Sequence, residues 1–334
     1  MRTPFPTLTL MAVAALIALQ PLKAIAADKV KFCVAGDSRG SATKKNGPIN
    51  TDIIKKTLDA IKKEKPDFVI FSGDLVLGYA KDLEKQLTLW RDTFMKPLLA
   101  AKIPVYACRG NHDQSFGGKK KKKGKGNSVE DAWNKVFKGQ FAFPDNGPAN
   151  AKNMTYFIRD KNVLVFVFDN YTGKKLHQVD TKWMLSVIKK EASKPPTPLR
   201  IFAVCHEPAF ALLHKDCLAV KPKQRDEFIK AFLKNGGLAF FCGHDHLYDH
   251  STVKYPEGTF QQFVCGISGA TLKKKWKGKY PDKKVENVKT DIAFGYLVVT
   301  VDDAKAEFLM KSWGENGKEQ AKKADQFSMD FKKP

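Results

Sequence analysis

The sequence predicts an α/β fold organised on buried sheets, and three observations predict it. Apolar runs of about four to six residues alternate with longer stretches whose apolar residues recur at helical spacing. Five of the runs stop at a polar cluster, which places those polar residues at strand tips. The composition is that of a packed chain, 43% hydrophobic and 28% charged over 334 residues, which excludes disorder for most of its length. Such a length supports a sizeable core, as one large domain or two ordinary ones.

The elements follow in order. Val30 to Ala35 is a strand ending at Gly36-Asp37. Residues 50–64 carry Ile53, Ile54, Leu58 and Ile61 on one helical face, and Pro66 closes that helix. Phe68 to Phe71 is a strand closing on Gly73-Asp74, residues 82–100 read as one helix, and Val105 to Cys108 delivers Gly110-Asn111-His112-Asp113. Val163 to Phe168 runs into Asp169, and a helix around Trp183, Val187 and Ile188 ends by Pro195-Pro196. Ile201 to Cys205 stops at His206, residues 224–235 form a helix, and Leu238 to Cys242 leads into Gly243-His244-Asp245-His246. The remainder is strand-rich, including Phe263 to Cys265 and Tyr296 to Val301. In α/β sheets, ligands collect beyond the carboxyl ends of strands, so the polar tips are where a site belongs.

The ends and the charge set further expectations. Residues 1–26 read as a signal peptide: Arg2, an apolar run from Leu8 to Leu19, then Ala24-Ile25-Ala26 as small residues before a cut. That run is shorter than the roughly 20 residues that span a bilayer. The chain is therefore expected to be exported, periplasmic or extracellular, with no membrane span after signal removal. The formal net charge is +23, and Arg2 and Lys23 supply two of those charges, so a chain starting near Ala27 carries +21. Such an excess attracts anionic partners, whether phosphorylated substrates or an acidic polymer or surface, or it is a solvated basic exterior. Residues 117–127 (GGKKKKKGKGN) are a basic low-complexity insertion in a domain spanning 27–314, and residues 315–334 read as a loose polar tail. The six cysteines could pair in an oxidising compartment. Cys33, Cys108, Cys205, Cys242 and Cys265 lie inside apolar runs, where free cysteine behaves as a small hydrophobe.

Asp37, Asp74, Asn111, His112, His206, His244 and His246 are the candidate site residues. Carboxylate and amide oxygens with imidazole nitrogens suit divalent or trivalent manganese, iron or zinc. The glycines before the clusters let the backbone turn sharply and approach a small ligand. His244 and His246 are alternate residues and can face one cluster.

In order and spacing, these residues resemble the calcineurin-like metallophosphoesterase superfamily, whose motifs run D-x-H, G-D, G-N-H-[DE], H and G-H-x-H. Here they read Gly36-Asp37, Gly73-Asp74, Gly110-Asn111-His112-Asp113, His206 and Gly243-His244-Asp245-His246, over about 210 residues. His206-Glu207-Pro208 and the stretch from Gly243 through Tyr248 are similar to the exported, purple-acid-phosphatase-like branch. The resemblance implies a four-layer α/β/β/α sandwich of two mixed sheets flanked by helices, and a two-metal centre that hydrolyses a phosphate ester. By position, Asp74 would bridge two metals, Asn111, His206 and His244 would complete one shell, and Asp37 and His246 would hold the other ion. His112 would act on the leaving oxygen with Asp113 orienting it, and Asn111, His112 and Arg39 would meet the substrate. One departure stands out: the first motif ends in Arg39 where the family usually has histidine, and a guanidinium cannot ligate a metal. Purple acid phosphatases also lack that histidine but place a tyrosine where this chain has Leu77, with Tyr79 two residues on. The function expected is phosphomonoester hydrolysis. The alternatives are a phosphodiesterase or nuclease acting on polyanions, and a basic binding protein on a degenerate phosphoesterase scaffold.

Overall fold

The computed structural model describes residues 29–41, 47–78, 82–114, 129–171, 176–276 and 279–331. The expected signal peptide, the lysine-rich insertion and Tyr79 lie outside these residues.

Thirteen strands among the described residues form two sheets. In the first, β1 (Val30–Ala35), β2 (Phe68–Phe71) and β3 (Val105–Ala107) are parallel neighbours. The antiparallel strands β11 (Gly295–Val301), β12 (Lys305–Ser312) and β13 (Lys322–Asp330) extend it beyond β1. In the second, β5 (Val163–Val167), β6 (Arg200–Val204), β7 (Gly237–Cys242) and β9 (Gly258–Cys265) run parallel. That sheet is flanked by antiparallel β4 (Tyr156–Asp160) on one side, and by β8 (Tyr248–Tyr255) and β10 (Val285–Asp291) on the other.

The two-residue period of the strands decides how the sheets stack. Val163, Val165, Val167, Phe202, Val204 and Phe241 point into the core shared with the first sheet. Their neighbours Leu164, Phe166, Ile201, Ala203 and Phe240 point the other way, into a separate core under the helices. Between the sheets, Phe32 meets Phe202 and Phe241 edge-on, with centroids 5.5 and 5.9 Å apart, while Phe263 stacks on Phe308 at 4.7 Å. Helices α1 (Thr51–Glu64), α2 (Leu83–Trp90), α3 (Lys96–Ala100) and α4 (Val129–Val136) accompany the first sheet, and α5 (Thr181–Glu191) and α6 (Pro222–Lys234) cover the second. This is the expected four-layer arrangement. Asn50 caps α1 by accepting from Ile53 N–H, and the helix stops at left-handed Lys65 just before Pro66.

Two expectations need correction. The single helix over 82–100 is interrupted by a wide π turn at Arg91–Met95, where Lys96 N–H bonds five residues back to Arg91 O. The widening falls immediately before Pro97, whose ring cannot fit the regular ladder and which has no amide hydrogen to contribute. The polar tail is not loose. Its residues 322–330 form the edge strand β13, because Phe327, Met329 and Phe331 pack against the core while the intervening residues face water. Asp325 also reaches across to the other sheet, accepting from Tyr248 O–H and His250 Nδ1–H at 2.8 Å each. All six cysteines are buried and unpaired. Among the described residues no helix is long and apolar enough to cross a membrane.

Candidate metal centre

The segments leaving β1, β2, β3, β6 and β7 converge at one edge of the sandwich. Asp37 N–H donates to Gly73 O (2.9 Å), Arg39 N–H to Asp74 O (3.2 Å), and Gly243 N–H to His206 O (2.9 Å). Asp37, Asp74 and His244 all adopt left-handed backbone conformations, with φ of 57°, 51° and 71°. Three such residues at strand tips are a concentration of local strain of the kind found at functional sites. Glycine is required beside them for two different reasons. Gly73 has φ of +92°, and a side chain at Gly110 would run into Asp74.

Backbone carbonyls fix which nitrogen each imidazole turns inward. His206 Nδ1 lies 2.8 Å from Ser72 O, His246 Nδ1 is 3.0 Å from Thr271 O, and His112 Nδ1 is 2.7 Å from Leu77 O. A carbonyl only accepts, so each Nδ1 carries a proton and, in the neutral ring, each Nε2 presents a lone pair. His244 is turned the other way: its Nε2 faces the Asp216 carboxylate at 3.3 Å and its Nδ1 faces inward. Orienting ligand imidazoles through the far nitrogen is how metal sites set tautomer and direction.

The inward atoms form a tight group. Asn111 Oδ1 is 3.0 Å from both His206 Nε2 and His244 Nδ1; those two nitrogens are 3.3 Å apart, and Asp74 Oδ1 is 3.4 Å from His206 Nε2. Asp74 Oδ1, Asn111 Oδ1 and neutral His206 Nε2 are all acceptors, and they repel one another unless a cation lies between them. Bonds of about 2.0–2.2 Å from one ion set adjacent ligand atoms about 3.0 to 3.5 Å apart, which matches this group. Asp37, Asp74 and His206 also satisfy the spacing of a buried metal-holding cluster.

The electrostatics point the same way. Burial and the neighbouring Asp74 charge push Asp37 well above the usual carboxylate range. Burial works against the Asp74 carboxylate too, but His206, His112 and Arg39 outweigh it and hold its pKa down at about 2. Burial lowers His206 to about 4, and burial with the Arg39 charge lowers His246 well below its ordinary value, leaving both neutral and able to ligate. His244 is raised despite burial because Asp216 accepts its proton, and Asp216 in turn falls to about 2.

All the expected residues are brought together, with one changed role and one changed half. Asp113 does not orient His112. Its carboxylate accepts from Leu75 N–H (3.1 Å), Val76 N–H (3.1 Å) and Gly110 N–H (2.8 Å), tying the second motif to the third. Burial and Asp74 push its pKa up to about 8 while those amides pull the other way. The imidazole of His112 is instead held by Leu77 O. The half built from Asp37, Asp74 and His246 contains Arg39, whose Nε is 3.4 Å from Asp74 Oδ2, and His246 Nε2 is 3.5 Å from Asp37 Oδ1.

Supporting residues were not evident from the motifs. His214 lies at the rim, its ring 4.6 Å from that of His244, with Nδ1 donating to buried Asp245 at 2.6 Å. The same Asp245 accepts His214 N–H, so the middle residue of the last motif anchors this loop. Arg109 makes a two-pronged pair with Asp169 at 3.1 and 2.7 Å, fixing the loop that presents Asn111. Glu207 pairs with His177 at 2.9 Å. The available signal was the clustering of histidines: of seven in the chain, five lie at this edge.

A family model described as calcineurin-like phosphoesterase matches residues 30–248, which contain every candidate metal-holding residue. The chain belongs to the calcineurin-like phosphoesterase family. Over 67 residues it is 39% identical to a protein of Arabidopsis thaliana named probable inactive purple acid phosphatase 29, a match spanning 20% of this chain and 16% of that protein. Among solved structures it is similar to a purple acid phosphatase from yellow lupin seeds, with a TM-score of 0.63 and 16% identity over 91% of this chain and 54% of the lupin chain. It is also similar to a dimetal phosphatase from Danio rerio, with a TM-score of 0.54 and 12% identity over 91% and 99% of the two chains. GAP50, named as the anchor in the inner membrane complex of Plasmodium, has a TM-score of 0.56 and 14% identity over 91% and 90%. These likenesses show a shared fold. The chain spans about half the length of the lupin enzyme and far less of the Arabidopsis protein.

Proposed function

We propose that this protein is an exported, metal-dependent hydrolase of phosphate esters that acts on phosphomonoesters. One observation carries the reading: the acceptor atoms of Asp74, Asn111 and His206, joined by inward-turned His244, converge at 3.0 to 3.4 Å in an arrangement that suits a bound cation. A manganese, iron or zinc ion there would supply Lewis-acid polarisation of a phosphate oxygen and lower the pKa of water. The chain's own residues do the rest. Asn111 is positioned by the Arg109–Asp169 pair. His112, with Nδ1–H fixed on Leu77 O, can deliver a proton from Nε2 to the departing alkoxide. Burial lowers the pKa of His112, so its proton-carrying form is favoured by acidic conditions.

A cavity of about 550 Å³ is lined in part by Gly40, Asn50, Thr271, Lys274 and Phe294; Gly40 follows Arg39 in the chain, and Thr271 holds His246 in place. The +21 charge expected of the exported chain supports recruitment of anionic substrate. Relative rates on p-nitrophenyl phosphate and bis-p-nitrophenyl phosphate test the specificity. The monoester is expected to turn over with the higher kcat/KM; a preference for the diester would replace this reading with a phosphodiesterase. A second reading, a binding protein on a degenerate scaffold, draws on Arg39 in the first motif and on the relative named as inactive. It predicts turnover of neither ester by metal-loaded protein.

A further inference from the structure

Arg39 stands where the family's first motif supplies a ligand, and its place is fixed by the backbone. Its N–H donates to Asp74 O, it pairs with Ile49 in a short antiparallel bridge, and Asn50 N–H returns to Ser38 O at 2.9 Å. The side chain is 20% exposed, with Nε enclosed and 3.4 Å from Asp74 Oδ2. The other oxygen, Oδ1, faces His206 Nε2 at 3.4 Å. The carboxylate expected to bridge two ions is thus divided between an arginine and the ligand group of one ion.

We propose that the Arg39 guanidinium takes the place of the first metal ion, so that the centre holds one ion, bound by Asp74, Asn111, His206 and His244. A guanidinium is a permanent cation with no lone pair to give. It compensates Asp37 and Asp74 as an ion would, and it opposes entry of a dication beside Asp37 and His246. Asp37 already accepts His244 N–H on both oxygens at 3.1 and 3.2 Å, its Oδ1 lies 3.5 Å from His246 Nε2, and the Asp74 oxygen on their side is paired with Arg39. A planar N–H array is also the geometry that holds two phosphate oxygens, so Arg39 serves substrate charge where a second ion otherwise would.

This inference rests on the cluster being a metal centre, and manganese titration of the full metal-stripped chain tests both parts separately. Followed by elemental analysis and electron paramagnetic resonance, the wild type is expected to take up one manganese per chain with the spectrum of an isolated ion. Arg39→His is expected to take up two, with a spin-coupled pair. Arg39→Gln removes the charge without adding an imidazole and is expected to bind a second manganese at least about tenfold more tightly than the wild type. Two ions in the wild type, a single ion in Arg39→His, or unchanged second-ion binding in Arg39→Gln would each overturn the proposal. No bound ion in the wild type would overturn the metal-centre reading itself.

Discussion

Replacing Asp113 with alanine removes the acceptor of three amides, those of Leu75, Val76 and Gly110, around a side chain that is fully buried. Each buried donor left without a partner costs about 1 to 3 kcal/mol, so the loss is about 3 kcal/mol at the least. That is a large share of the roughly 5–15 kcal/mol by which domains are stable. Asp113→Asn keeps one oxygen. Turned toward Leu75 and Gly110, it leaves only Val76 N–H facing an amide NH2, a loss of about 1 to 3 kcal/mol. Urea denaturation of the metal-stripped proteins should therefore order them wild type, asparagine, alanine, with unchanged m-values. Because Leu77 O rather than Asp113 holds His112 Nδ1, the asparagine variant should keep the wild-type pH profile of kcat. An asparagine variant of full stability with a displaced pH profile would instead return Asp113 to the task of orienting His112.

Burial holds His206 at about 4, whereas an unfolded histidine titrates near 6.5, so as pH falls the unfolded chain takes up that proton first. In metal-stripped protein this group alone should cost about 3 kcal/mol between pH 6.5 and 4 and nothing further below that, while the raised carboxyls of Asp37 and Asp113 act in the opposite direction, so the loss is read as the difference between wild type and His206→Gln in denaturation measured across pH. Asp325→Ala leaves buried Tyr248 O–H and His250 Nδ1–H without their acceptor and should destabilise by about 2 kcal/mol or more, with Asp325→Asn falling between. If the lysines of residues 117–127 steer substrate, deleting Lys119 to Lys125 should flatten the salt dependence of kcat/KM; an unchanged slope would assign them to a solvated exterior.

What the sequence made legible, and what it hid, follows from how locally each feature is encoded. Asp37, Asp74, His206, His244 and His246 were readable because they follow short apolar runs, and the parallel strands of the two stacked sheets carry these tips to one edge of the sandwich. The role of Asp113 was hidden, because adjacency to His112 in the chain says nothing about amides 37 and 38 residues away that converge on its carboxylate. His214 lies in a stretch without periodicity, and only folding brings it beside His244 and Asp245. Strand β13 was hidden for another reason. An edge strand buries one face, so Phe327 and Met329 are separated by residues polar enough to read as a tail. The π turn before Pro97 left helical periodicity intact while shifting the register by one residue.

If Asp74 organises a metal-dependent phosphoesterase, hydrolysis of p-nitrophenyl phosphate by metal-stripped and metal-loaded protein will show it, with Asp74→Asn measured alongside. Turnover is expected of the wild type only when metal is restored, and neither turnover nor bound metal of Asp74→Asn. Turnover by the stripped wild type, or an active and metal-replete Asp74→Asn protein, would remove Asp74 from that role.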